Sequence, residues 1–188
     1  MILDWLNSHH IPGSVPVLQF ISEAATFVSI GAVLAVLLLA WGKKSKPMLH
    51  NFFIMAIALL ISALMIQVLK EVFDRERPFI TFPFIEKLSP GGGGSFPSGH
   101  SMEAFAMAMA ISLLFRRPWL IITAYLWASL VAYSRLALGV HYPGDVLGGI
   151  IVGSVIGWLV PWVYRKINSR YFFTAKFPPS KNREHHDR

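Results

Sequence analysis

Residues 20–41 form an almost uninterrupted apolar run, and this run limits what the chain can fold into more than any other feature does. Apart from Glu23 near its start, the segment carries no charged residue. A helix of this length crosses the roughly 30 Å hydrocarbon core of a bilayer. Because lipid offers no hydrogen bonds to the backbone, the run predicts a membrane-spanning helix.

Four more apolar runs follow the first, so the sequence predicts five membrane-spanning helices. The later runs cover residues 51–69, 98–117, 119–133 and 146–164. Hydrophobic residues make up 54% of the 188 residues, and the absence of cysteine excludes disulfides and thiol ligands. We therefore expect an all-α, polytopic membrane helix bundle.

The rest of the chain is expected to belong to the same single domain, residues 1–188, with a core at 20–164 and a basic tail at 165–188. Residues 1–19 contain Pro12 and Pro16 and predict a short interfacial segment rather than a span. No polar linker separates a second domain.

Breakers and small residues predict how the runs are connected and packed. The second helix is expected to extend beyond the membrane and to stop near Pro78, because proline disfavours a helix in the preceding residue. Residues 79–96, which include the glycine run 91–94, predict a mobile loop. Gly149, Gly153 and Gly157 recur every four residues and favour close packing within the chain over dimerisation.

The distribution of basic residues predicts the orientation in the membrane. Of the 17 lysines and arginines, 12 fall on one side of the five-span topology. Lysine and arginine accumulate on the cytoplasmic side, so that side and the C-terminus are expected to be cytoplasmic. The net charge of +7 then reflects membrane topology, and no nucleic-acid partner is expected.

Residues able to act on a phosphate fall together on the opposite, outer side, although they come from three connections. Arginine binds phosphate through paired hydrogen bonds, histidine can attack phosphorus or move protons, and a carboxylate can fix an imidazole tautomer. Interfacial anchoring is the alternative role, but anchors would have no reason to share one side. The residues are Lys70, Arg77, His100, Arg135, His141 and Asp145.

The sequence Pro97-Ser98-Gly99-His100 lies where a glycine-bearing loop enters a helix. Backbone N–H groups at a helix N-terminus favour an anion, and Gly99 would allow a phosphate to approach closely. The Ser98 hydroxyl could donate to the phosphate, cap the helix, or do both. Glu103 is expected to complement the helix N-terminus, with contact to His100 or to a polar head group as the alternative.

In order and spacing, these residues resemble the three-part signature of the type 2 phosphatidic acid phosphatase superfamily. The resemblance implies a metal-independent phosphatase without a cofactor, in which His141 forms a phosphohistidine and Asp145 orients its ring. It implies that His100 protonates the departing oxygen and later activates water. It also implies phosphate binding by Lys70, Arg77, Ser98, Gly99 and Arg135.

Other chemistries for the same residues are less well supported. His100, His141 and Asp145 could ligate zinc, but the neighbouring cations would repel a dication. Vanadate-dependent haloperoxidases carry a similar signature, yet five spans without a soluble domain argue against that activity. A lipid transporter or scaffold without catalysis is the alternative from another class.

The predicted enzyme acts on a membrane lipid phosphate in a bacterial cytoplasmic membrane, with its active site on the outer face. The resemblance implies undecaprenyl diphosphate as the first substrate to consider. Phosphatidylglycerophosphate, phosphatidic acid and lipid A phosphate are the alternatives, because the motif residues contact phosphate and not the tail. The sequence leaves the oligomeric state open.

The predicted orientation can be tested with a reporter fused after Arg188. We expect the reporter to be cytoplasmic, because the basic side of the bundle stays inside the cell. Activity of paired reporters that function only inside or only outside the cytoplasmic membrane measures this. A signal from the outer compartment would invert the topology.

Overall fold

The computed structural model describes residues 2–9 and 13–168. Its helices are α1 (Ile2–Ser8), α2 (Val15–Gly42), α3 (Lys46–Phe73), α4 (Pro78–Thr81), α5 (Gly99–Phe115), α6 (Pro118–Ala137) and α7 (Pro143–Ile167). No strand occurs in the described part, so the predicted all-α class is confirmed. Most of the predicted basic tail, from residue 169 onward, lies outside the described residues.

Five helices correspond to the five predicted spans. Helices α2, α3, α6 and α7 are long and apolar enough to cross a membrane, and α5 is apolar but shorter, with 17 residues. Large apolar side chains face outward; the exposed fractions of Phe27 and Leu38 are 75% and 65%. Such a surface suits a lipid environment, and the predicted membrane helix bundle is confirmed.

Helix α5 lies at the centre of the bundle, and α7 packs closely against it. The buried face of α5 consists largely of alanine and methionine, including Met102 and Ala106. A Cβ added to Gly153 would overlap the Met102 carbonyl oxygen, and one added to Gly157 would overlap that of Ala106. The glycines therefore bring two backbones together within the chain, as the sequence predicts.

The ends of α3 and α6 differ from the sequence-based expectation. Helix α3 ends at Phe73 rather than near Pro78, because Asp74 adopts the left-handed conformation, with φ 34°. An α3 that reached Pro78 would have carried both Lys70 and Arg77, but Arg77 lies after the end of α3 and precedes α4. Helix α6 continues to Ala137, so Arg135 lies in its last turn and not in a connection.

Helix α1 has seven residues and is too short to cross a bilayer. Its Asn7 side chain donates to the backbone oxygens of Glu86 and Ala137 and accepts from the Glu86 N–H group. Leu3 is 1% exposed. The N-terminal helix thus connects the loop after α4 with the end of α6, two residues from Arg135.

The α5–α7 contact predicts the effect of adding one methyl group. We expect Gly153→Ala to lower the free energy of unfolding by about 1–3 kcal/mol, because the new Cβ meets the Met102 backbone. Gly31→Ala is the matched control, since a Cβ there has no neighbour within 4 Å. Reversible unfolding in mixed detergent micelles measures both. Equal stability of the two variants would contradict the packing.

Candidate active site

A cavity of about 410 Å³ opens at the end of the bundle where α3 ends and α5 begins. Its lining combines side chains of four spanning helices with the glycine run and the α6–α7 loop. The structure therefore brings together residues that are up to 115 positions apart in sequence, from Thr26 to His141. Six of the predicted site residues line it: Lys70, Arg77, Gly99, His100, Arg135 and His141.

The guanidinium of Arg77 is held by backbone carbonyls. Its Nε donates to Gly93 at 3.1 Å, its Nη2 to Gly92 at 2.9 Å and its Nη1 to Val140 at 3.1 Å. A Cβ on Gly91 would lie 2.9 Å from Nη1, so the loop needs glycine to approach this closely. The glycine run thus forms part of the cavity wall and fixes a buried positive charge.

Arg135 and Lys70 bring two further positive charges to the cavity. Arg135 is 3% exposed; its Nη1 donates to the Ser22 hydroxyl, while its buried Nε has no partner among the described residues. Lys70, in the last turn of α3, lines the cavity with partial exposure. Together with Arg77, they make the cavity suitable for an anion with several oxygens.

His141 lies in the loop between α6 and α7 and is 2% exposed. Its Nδ1 is 2.8 Å from the Ser95 carbonyl oxygen. Because a carbonyl only accepts hydrogen bonds, Nδ1 carries the proton and the lone pair lies on Nε2. Ser95 thereby holds the tautomer in which Nε2 can act as a nucleophile.

Asp145 is fully buried in the first turn of α7 and does not line the cavity. Its Oδ1 accepts from Arg75 Nη1 at 2.7 Å, and its Oδ2 accepts from Ser95 Oγ at 2.5 Å and from the Tyr142 N–H at 2.9 Å. Its Oδ2 lies 3.7 Å from His141 Nδ1. The carboxylate therefore orients the ring through Ser95 and by charge, without a direct hydrogen bond.

Ser95 and Arg75 contact the candidate site residue Asp145, although sequence reasoning did not single them out. Arg75 stands in the charged segment before Arg77, and Ser95 stands two residues before Pro97. Neither position forms a recognisable spacing with Asp145, which is 70 and 50 residues away. These contacts form only because the tertiary fold brings the distant segments together.

At the start of α5, Gly99 lines the cavity but Ser98 does not. Ser98 is fully buried: its N–H donates to the Asp145 carbonyl at 3.0 Å, and its Oγ pairs with Ser101 Oγ at 2.9 Å. Its hydroxyl neither lines the cavity nor caps α5. Gly99 lies against Ile66, where a Cβ would be 3.3 Å from Cδ1, and it lines the cavity with His100.

The pKa of His141 is lowered from 6.5 to about 4. Burial is the largest cause, and the positive charges of Arg135 and Arg77 act in the same direction, while Asp145 opposes them. The imidazole is therefore neutral at neutral pH. A neutral ring with a free Nε2 lone pair is the form that a nucleophile or a general base requires.

The chain is similar to several known proteins. A profile of the PAP2 superfamily matches residues 51–169. The lipid A 4'-phosphatase of Bacteroides thetaiotaomicron is 41% identical over 95 residues, which are 50% of this chain and 42% of that relative. The undecaprenyl-diphosphatase BcrC of Bacillus subtilis is 30% identical over 152 residues, covering 81% of this chain and 76% of that relative.

A solved structure shares the fold. It is described as the first transmembrane PAP2 type phosphatidylglycerolphosphate phosphatase from Bacillus subtilis, and it matches with a TM-score of 0.73 at 27% identity. The match covers 89% of this chain and 84% of that one. The chain thus spans most of the length of this structural neighbour but less than half of the lipid A 4'-phosphatase.

The burial of His141 predicts its titration. We expect the ring to gain its proton only as the pH falls to about 4, well below the ordinary 6.5, because the buried site disfavours the charged form. The chemical shift of the ring carbon Cε1 in isotope-labelled protein, assigned by comparison with His141→Gln, measures this. A midpoint near 6.5 would show that water reaches the ring freely.

Proposed function

This chain belongs to the PAP2 superfamily, and from that premise we propose that it is a membrane lipid phosphatase that works through a phosphohistidine intermediate. The observation that carries the proposal is the position of the neutral His141 ring in a cavity lined by Lys70, Arg77 and Arg135. Phosphoryl transfer requires an aligned nucleophile and compensation of charge on the phosphate oxygens. The cavity supplies both.

In the first step, the three cations bind the phosphate oxygens of the substrate, and His141 Nε2 attacks phosphorus. The P–N bond forms as the bond from phosphorus to the leaving oxygen breaks. His100, which must be in its imidazolium form at this point, transfers a proton to that oxygen. The leaving group departs as an alcohol from a monoester, or as a phosphate monoester from a diphosphate. The proton stays on His141 Nδ1 and remains hydrogen-bonded to the Ser95 carbonyl oxygen, which keeps the charged ring oriented.

In the second step, His100 takes a proton from water as the water oxygen attacks phosphorus. The P–N bond breaks, and its electron pair returns to His141 Nε2. Inorganic phosphate leaves, and both histidines regain their starting protonation states. Because the cations hold the phosphate oxygens throughout, the developing charge stays compensated in both transition states.

A lipid substrate is supported by the surface below the cavity. Thr26 and Ile66 line the cavity, and one turn further along α2 and α3 a groove of about 320 Å³ begins. Ile30, Leu34, Leu59, Leu60 and Ala63 are among its residues, all of them apolar. An acyl or prenyl chain could lie in this groove while its phosphate enters the cavity.

The orientation and the membrane are further parts of the proposal. Basic residues at the ends of α2 and α5, including Lys43, Lys44, Arg116 and Arg117, lie at the opposite end of the bundle from the cavity. The positive-inside rule then places the cavity at the outer face of a bacterial cytoplasmic membrane. The substrate would be presented in the outer leaflet.

Several lipid phosphates are candidate substrates. The names of the relatives and of the structural neighbour include lipid A 4'-phosphatase, undecaprenyl-diphosphatase and phosphatidylglycerolphosphate phosphatase. The phosphate-binding residues treat these substrates alike, because they contact only the phosphate. Release of inorganic phosphate across undecaprenyl diphosphate, phosphatidylglycerophosphate, phosphatidic acid and lipid A is the direct comparison.

Replacement of the nucleophile tests the enzyme class. We expect His141→Ala to reduce phosphate release to the background rate, because His141 Nε2 is the proposed attacking atom and alanine offers no nucleophile in its place. Wild-type protein, quenched in alkali during turnover of a ³²P-labelled lipid phosphate, should carry acid-labile label that the variant lacks. Chelators should leave the wild-type rate unchanged.

His9→Gln is the matched control, since His9 is exposed and lies outside the cavity. It should retain the wild-type rate. Turnover by a folded His141→Ala protein would exclude His141 as the nucleophile. Lipid transport by that variant without phosphate release in the wild type would favour a transporter instead.

A further inference from the structure

The proposed mechanism does not use Glu103, although this residue lines the cavity. Glu103 lies on α5 one turn after His100 and is 8% exposed. It is the only acidic residue among the described residues of the cavity lining. It lies beyond the first turn of α5, so the expected role of complementing the helix N-terminus is not what the structure shows.

The carboxylate of Glu103 has one satisfied and one unsatisfied oxygen. Oε2 accepts a hydrogen bond from Thr26 Oγ1 of α2 at 3.0 Å. Oε1 is buried and has no hydrogen-bond partner within the described part of the chain, and none of the cavity cations forms an ion pair with it. A buried carboxylate oxygen without a donor is unfavourable, so the cavity contains an acceptor ready for a donor from elsewhere.

Glu103 lies on the side of the cavity where the leaving group must be. Helix α5 runs from the cavity into the membrane, so one turn places Glu103 about 5.4 Å deeper than His100. Thr26 and Ile66 line the same side, above the apolar groove. When His100 faces the leaving oxygen, the atoms attached to that oxygen extend toward Glu103.

We propose that Glu103 Oε1 accepts a hydrogen bond from a hydroxyl or amide N–H group that neighbours the scissile phosphate in the substrate's leaving group. The inference rests on the proposed phosphatase function. The proposal requires Glu103 to be ionised, because an ionised carboxylate only accepts hydrogen bonds and repels the anionic oxygens of a phosphate. Glu103 therefore does not bind the scissile phosphate. It binds the neighbouring hydroxyl or amide group of the leaving group.

This contact makes Glu103 a specificity-determining residue for lipid monophosphates. A leaving group that carries a hydroxyl or an amide near the ester oxygen satisfies Oε1, whereas a leaving group that is itself a phosphate meets a carboxylate. Lipids with glycerol or sugar head groups thus fit the cavity better than a diphosphate does. Undecaprenyl diphosphate was the first substrate that the sequence suggested, but under this inference it is a less suitable substrate than those lipids.

A substrate pair that differs by one hydroxyl tests the inference. The pair is 1-acylglycerol 3-phosphate and its 2-deoxy analogue, both presented in detergent micelles to the purified full-length protein. We expect the wild type to prefer the hydroxylated lipid roughly tenfold or more in kcat/KM, because a site built around a hydrogen bond rejects the analogue that lacks it. Glu103→Gln should reduce that preference to less than about threefold.

Thr26→Val is the second variant, because it keeps the shape of the side chain and removes the hydroxyl that holds Oε2. It should lower the preference by a smaller factor than Glu103→Gln does, since the carboxylate remains but is less well oriented. Thermal unfolding in the same detergent identifies any loss of folding. If Glu103→Gln does not fold, an unchanged preference in Thr26→Val overturns the inference.

The remaining outcomes separate the two proposals. Equal wild-type rates on both lipids overturn the role of Glu103 while leaving the phosphatase function intact. Equal losses on both lipids in Glu103→Gln show that Glu103 acts on His100 or on folding, and they also overturn it. No phosphate release from any lipid phosphate by the wild type would contradict the proposed function itself.

Discussion

The buried carboxylate of Asp145 is the interaction on which the rest of the site depends. It receives Arg75 from the segment after α3, Ser95 from the glycine-rich loop and the Tyr142 N–H from the start of α7. A carboxylate in a buried site is stable only when its lone pairs are occupied by donors. Because Asp145 needs all three donors, it holds three parts of the chain together around His141.

Close helix packing determines where this network meets the residues proposed to bind phosphate. The glycines on α7 allow it to approach α5 at Met102 and Ala106, and the Ser98 N–H donates to the Asp145 carbonyl at the upper end of the same contact. His100 and His141 consequently line one cavity, although His100 lies in the first turn of α5 and His141 in the loop between α6 and α7. Small residues in the membrane therefore act on the chemistry by setting the distance between two helix ends.

The positive and negative side chains of the site lie in different places. Lys70, Arg77 and Arg135 face the space for the phosphate, and Asp145 lies behind Ser95, away from that space. Glu103 lies deeper along α5, toward the lipid-facing groove. Because an anion is attracted by the first group and repelled by a carboxylate, this arrangement favours entry of the proposed lipid substrate with its phosphate toward the three cations.

The sequence alone determined the membrane helices and identified half of the residues that line the cavity, because hydrophobic length and motif order are local properties of the chain. It predicted the spans, the intrachain role of Gly153 and Gly157, and a cavity group that includes Arg77 and Arg135. Only the tertiary structure decided the roles of Ser95, Ser98 and Glu103. Their partners lie 46, 47 and 77 residues away, and no local pattern specifies a hydrogen bond between segments that meet only after folding.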